Sequence, residues 1–144
     1  MGSAGLAPFT GTTQFSGEDI IDMADKVTGR LPERSPKTAY IVLTERDINS
    51  KERALRFLFA MQDRSIRTGV VSTAQLTWRP QGGRADMGTI RTRLRTMVKR
   101  GIGELYYGYP RSVEIRDVMY SPLMRVEDVD KVGSDFLHKT GPSR

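Results

Sequence analysis

Residues 49–64 read NSKERALRFLFAMQDR, and their centre, FLFAM, is with YIVL one of the two longest apolar runs in the chain. Leu55, Leu58, Phe59 and Gln62 fall on one face at helical spacing, with Phe57 and Met61 beside them. Asn49 and Glu52 stand at capping-box spacing in front of that face. The pattern predicts a helix from Asn49 to about Arg64, wide in apolar surface, around which the rest of the core is built.

Upstream, GEDIIDMADKVTG predicts a helix from about Glu18 to Thr28. Ser16 is its N-cap, Glu18 and Asp19 lie in its first turn and Gly29 just beyond it. Ile20, Met23, Ala24 and Val27 form its buried face. LPERSP is a loop, and TAYIVLT (38–44) is β-branched and aromatic enough to be a buried strand. Residues 1–15, MGSAGLAPFTGTTQF, have no periodicity and read as an arm.

Downstream, GVVSTAQLTW (69–78) fits either a strand or a short helix capped by Ser72, the strand being favoured. Thr89–Arg100 predicts a second amphipathic helix, with Ile90, Leu94, Met97 and Val98 inward and Gly101 past its end. ELYYGYPRSVEIRDVMY has two β-rich runs around GYPRS and predicts a hairpin, followed by a short helix over Val126–Leu137. The expectation is a small single α+β domain with three to four helices and a small antiparallel sheet that includes this C-terminal hairpin. It divides into an arm at 1–15, a domain at 16–137 and a polar tail at 138–144.

At 144 residues one core suffices, and no apolar run approaches the ~20 residues of a membrane-spanning helix. The absence of cysteine excludes disulfides and thiolate metal sites and fits a cytoplasmic or other intracellular setting. His138 is the sole histidine, so neither a His-based triad nor a two-His metal site can form within one chain. Gly83 and Gly88 have P-loop spacing, but Thr89 stands where the phosphate-binding lysine is required. These absences predict no enzyme, no cofactor, no metal and no small-molecule ligand.

The net charge of +6 is concentrated in the middle of the chain. Residues 48–83 hold six Lys/Arg against two Asp/Glu and residues 84–116 hold eight against three, whereas both flanks are slightly acidic. On the helix over 89–100, Arg91, Arg95 and Lys99 form one row and Arg93 and Arg100 the other, with Thr92 and Thr96 between. Such a face either meets phosphates or is merely solvated. Arginine forks and short threonine hydroxyls suit a nucleic-acid groove, and Tyr107 beside Arg111 could stack a base.

TIRTRLRTMVKRGIGELYYGYPRSVEIRDV, a basic helix, a glycine and a β-rich run tipped by Arg111, resembles the second half of a winged helix-turn-helix domain. The resemblance implies DNA contacts by Arg91, Thr92, Arg95, Thr96 and Lys99 and a wing carrying Arg111. STAQLTWRP fits the family's middle helix poorly. The resulting expectation is a non-catalytic DNA- or RNA-binding protein gripping phosphates with Arg91, Thr92, Arg93, Arg95, Thr96, Lys99, Arg100, Tyr107 and Arg111. The rival expectation is a viral or phage assembly subunit, self-associating in a virion, whose terminal arms order against neighbouring copies.

Overall fold

In the computed structural model, which describes residues 14–139, the stretch 49–64 is not a helix. It contributes to three strands: β3 (Asp47–Ser50), β4 (Leu55–Leu58) and β5 (Ala60–Asp63). The reason lies in where its apolar side chains go. Leu58 and Met61 pack towards one cluster, Phe57, Phe59 and Ala60 towards another, so the segment serves two opposed faces. Phe59 and Ala60 are neighbours directed to the same side, which marks the break between β4 and β5. A helix with one stripe could not supply both clusters.

The strands form two three-stranded sheets, in the orders β1-β3-β4 and β2-β6-β5. β1 (Gln14–Ser16) lies parallel to β3, and β2 (Tyr40–Thr44) parallel to β6 (Thr68–Ser72). The β3–β4 and β5–β6 pairs are antiparallel. The sheets are therefore mixed rather than antiparallel, within the α+β class that the sequence predicts. The predicted strand at 38–44 is present as β2, and the ambiguous 69–78 segment divides into β6 and a 3-10 turn over Ala74–Leu76. Of the predicted arm, residues 1–13 lie outside the described residues, and Gln14 and Phe15 belong to β1. Of the polar tail, residues 140–144 also lie outside them.

Helices cover both faces of the β2-β6-β5 sheet. α1 (Gly17–Thr28) packs Ile20 and Ile21 against Val70, Met61 and Ile48, which are at most 6% exposed. α2 (Met87–Ile102) packs Met97 against Val71, Phe59 and Leu76 on the other side. The adjacent valines Val70 and Val71 point to opposite helices, as the two-residue period of a strand requires. α2 comes close to the sheet because Gly101 faces Ile41, where an added Cβ would stand 3.0 Å from Ile41 Cδ1. Gly69 of β6 is equally crowded, its hypothetical Cβ lying 3.1 Å from Leu105.

α1 starts as predicted: Ser16 Oγ accepts from the Asp19 N–H at 3.2 Å. Glu18 ties this start to β3, accepting from Ser50 Oγ, Ser16 Oγ and the Lys51 N–H. Partial burial would raise its pKa, but these bonds outweigh burial and hold the carboxyl below its ordinary 4.5. The stabilisation is therefore present above pH 4.5 and lost as pH falls through the depressed folded value. In urea titrations, Glu18→Gln is expected to flatten the acid-side fall in stability; an unchanged pH profile would show that another carboxylate dominates.

α2 is longer than predicted at both ends. Asp86 caps it, accepting from the Thr89 N–H and hydroxyl, which keeps its carboxyl below the ordinary value. Gly101 does not end it. The chain continues through a π-helical turn, Gly103–Tyr107, and stops at Gly108, whose φ of 68° is the left-handed conformation glycine tolerates. The predicted hairpin is absent: its first run is this turn, and residues 108–125 are loop with isolated bridges such as Ser112–Tyr120. α3 spans only Val126–Lys131, shorter than predicted.

Candidate functional site

The basic residues of α2 divide into those directed outward and those engaged within the fold. Arg91 and Arg95 are exposed, as is Thr92. Arg93 is 3% exposed: its guanidinium pairs with both carboxylate oxygens of Asp130 at 2.8 Å and donates to the carbonyls of Leu76 and Trp78. Lys99 donates to the Ser134 carbonyl and lies over the Phe136 ring. Arg100 donates to the carbonyls of Val118 and Tyr120 and to Ser121 Oγ. Burial, then the charge of Arg111, lowers its pKa to about 10 against the opposite pull of Glu104 and Asp117, so it remains cationic at neutral pH.

The hydroxyls of Thr92 and Thr96 donate back to Gly88 and Thr92 carbonyls in their own helix. Tyr107 stacks on Tyr109, with centroids 5.0 Å apart, and meets Tyr106 and Phe136 edge-on. Arg111 stands 3.8 Å from Glu104. The nine residues do not form one surface: several hold α2, α3 and the 108–124 loop together.

What the fold does bring together is a groove along the outer edge of β4 and β5. Neither strand has a described strand on that side. The opposite wall is Ser121–Met124, entered through the cis Ser121–Pro122 bond, and Met97, Arg100 and Glu104 contribute from α2 and the π-helical turn. This part of the groove is about 370 Å³, with Leu55, Phe57, Leu123 and Met124 among its apolar lining. It continues past Arg53, Gln62 and Glu104 into a second hollow of about 510 Å³, bordered by Asp22, Glu52, Asp63 and Arg64. Glu104 sits at the junction, its side chain 10% exposed, bridged by Arg64 at 3.3 Å as well as by Arg111.

Sequence reasoning named Arg100 and Arg111 but not the groove. Its signal lay in the apolar 55–61 run, which had been assigned to a helix core. As for metal ligands, His138 is exposed and lies 3.8 Å from Glu114, and the chain has no cysteine. Among the described residues, no three or more His, Cys, Asp or Glu side chains are placed to hold a metal ion. Nor is any described helix long and apolar enough to cross a membrane.

No protein-family profile matches the chain, and no curated protein matches its sequence. Solved structures do match. A zinc-dependent peptidase from Methanocorpusculum labreanum superposes with a TM-score of 0.75 at 18% identity, over 92% of this chain and 77% of that one. Archaemetzincin from Archaeoglobus fulgidus, crystallised with malonate, matches with a TM-score of 0.64 at 22% identity, over 85% of this chain and 65% of its own. Archaemetzincin from Methanopyrus kandleri gives 0.65 at 20% identity, over 86% and 60%.

These matches overturn the winged-helix resemblance and, with it, the expectation of a non-catalytic nucleic-acid-binding protein. The basic helix of the resemblance is packed on a sheet, the predicted helix over 49–64 is replaced by strands, and there is no wing. The viral assembly reading and its self-associating arms fall on the same finding. The prediction of no enzyme also loses its basis, because the fold is one on which peptidases are built. The chain shares its fold with two archaemetzincins and a zinc-dependent peptidase.

Proposed function

We propose that this protein engages a polypeptide, held in extended form along the β4–β5 edge with its side chains in the groove. The observation that carries this reading is the open strand edge beside an apolar groove, in a fold similar to that of peptidases. An unpaired edge offers backbone N–H and C=O groups at strand spacing, which an extended peptide satisfies by adding a strand. Apolar walls then take alternate side chains, since successive residues of the added strand point to opposite sides.

The zinc named for the first of the similar structures does not fit the residues present here. A zinc centre draws on imidazole, thiolate and carboxylate donors converging on one point. This chain has a single histidine, no cysteine and, among the described residues, no convergent donor group. No step of peptide-bond chemistry is therefore routed through zinc.

The test is fluorescence anisotropy of labelled eight-residue peptides with the full chain, in chelator and again with added zinc, and mass spectrometry of the same mixtures for cut bonds. The expected result is binding of equal strength in both conditions. Met124→Trp, a substitution at an exposed groove position, is expected to weaken binding about tenfold by filling the apolar wall. Binding by no peptide, or an unaffected Met124→Trp, would reject the polypeptide reading. Binding that requires added zinc would contradict the account of the donors.

A further inference from the structure

The two halves of the groove differ in charge, and the difference selects among peptides. Arg53, Arg100 and Arg111 border the half lined by Leu55 and Met124, with Glu104 the only acidic side chain there. Glu104 is already bridged on two sides, by Arg64 and Arg111. The other half is bordered by Glu18, Asp22, Glu52 and Asp63 against Arg64, while Arg53 and Glu104 stand between the two halves. Positive charge is thus left in excess at one end only.

We infer that this protein recognises a carboxylate of its peptide ligand, taken by Arg111 at the basic end of the groove, with Arg53 and Arg100 adding to the local positive field. The inference rests on the polypeptide reading above and names the chemical class of the ligand. Three features support it. The Arg111 side chain is 54% exposed and its contact with Glu104 is loose, at 3.8 Å, so its fork has donors to offer. Arg100, by contrast, is committed to backbone carbonyls, and no described residue forms an ion pair with Arg53. Finally, the charge of Arg111 already disfavours that of Arg100, and a carboxylate held by Arg111 offsets it. An acidic group at the opposite end would meet Asp22, Glu52 and Asp63, so the carboxylate fixes the direction in which the peptide lies.

A peptide carboxylate can be a C-terminus or an Asp or Glu side chain. Three labelled peptides of one apolar sequence separate these: one with an internal Glu and an amidated C-terminus, one with Gln and a free C-terminus, and one with Gln and an amide. At least one of the first two is expected to bind about tenfold more tightly than the third, and which one does so identifies the source. Arg111→Gln is expected to remove that advantage by weakening the acidic peptide far more than the neutral one, and Arg111→Lys to keep part of it. Far-ultraviolet circular dichroism and melting curves establish that both variants fold.

Equal affinity for all three peptides overturns the carboxylate preference alone. So does an Arg111→Gln variant that weakens all three alike. If none of the three binds while apolar peptides of other sequence do, the preference also fails. If no peptide of any charge binds, the polypeptide reading fails, and this inference with it.

Discussion

Replacing Arg93 by Met is expected to lower the unfolding free energy by about 3 kcal/mol, measured by urea titration. Met preserves most of the buried aliphatic volume, so the loss is not mainly one of packing. It comes from two carbonyls, Leu76 and Trp78, each left without the guanidinium donor it has in the folded chain. An unmet buried carbonyl costs roughly 1–3 kcal/mol. The ion pair with Asp130 contributes less, because that carboxylate is 40% exposed and water screens it. Asp130→Asn is accordingly expected to cost no more than about 1 kcal/mol. Equal costs for the two variants would show that the pair, not the carbonyl bonds, holds α2 to the 76–78 segment and α3.

Arg100→Met is expected to cost about 2–4 kcal/mol by the same reasoning, applied to the carbonyls of Val118 and Tyr120. Its consequence reaches further. Those bonds fasten residues 118–121 to α2, and the next three residues are the groove wall opposite β4. Hydrogen exchange is expected to rise across the 118–124 segment in this variant, with peptide affinity falling in parallel. Faster exchange without lost affinity would separate the wall from binding. An unchanged denaturation midpoint would show that the guanidinium bonds add nothing to the fold.

The two helices were legible in the sequence for different reasons. α1 announces itself through Ser16 and an acidic first turn, both local signals, but of its predicted buried face Ile20 and Ala24 are buried while Met23 and Val27 are exposed and Ile21 takes their place. α2 is legible from its stripe, but its ends are not: the N-cap is Asp86, three residues before the predicted start, and Gly101, the expected stop, lies inside the helix. Gly101 is small for packing, not for turning; the positive φ belongs to Gly108. The segment 49–64 misled because apolar residues at helical spacing, Leu55, Leu58 and Phe59, can equally serve two faces of a kinked strand. Nothing local distinguishes these, since β3 and β6 each take a parallel partner more than 25 residues away in sequence. Tyr106 and Tyr107 carry strand propensity into a π-helical turn for a similar reason: the packing of Tyr107 on Phe136 and of Tyr106 on Tyr107 outweighs it.

The groove escaped for want of a motif. Its residues come from β4, β5, α2 and the 121–124 loop, and only the topology assembles them. The charges on α2 were visible but not their direction. Arg93, Lys99 and Arg100 look in sequence like Arg91 and Arg95, and differ only in having carbonyls or a carboxylate within reach.

The absence of a side chain at Gly101 acts as a spacer setting for the groove that the same helix helps to line. Ile41 bears on α2 at this point, and Met97 and Arg100, one turn and one residue earlier, form part of the groove. A methyl group added at 101 would stand 3.0 Å from Ile41 Cδ1, so the Ile41 side chain or the helix against it must give. The width available to a peptide is thereby set partly at a position no peptide touches, and so can be retuned without altering a single lining residue.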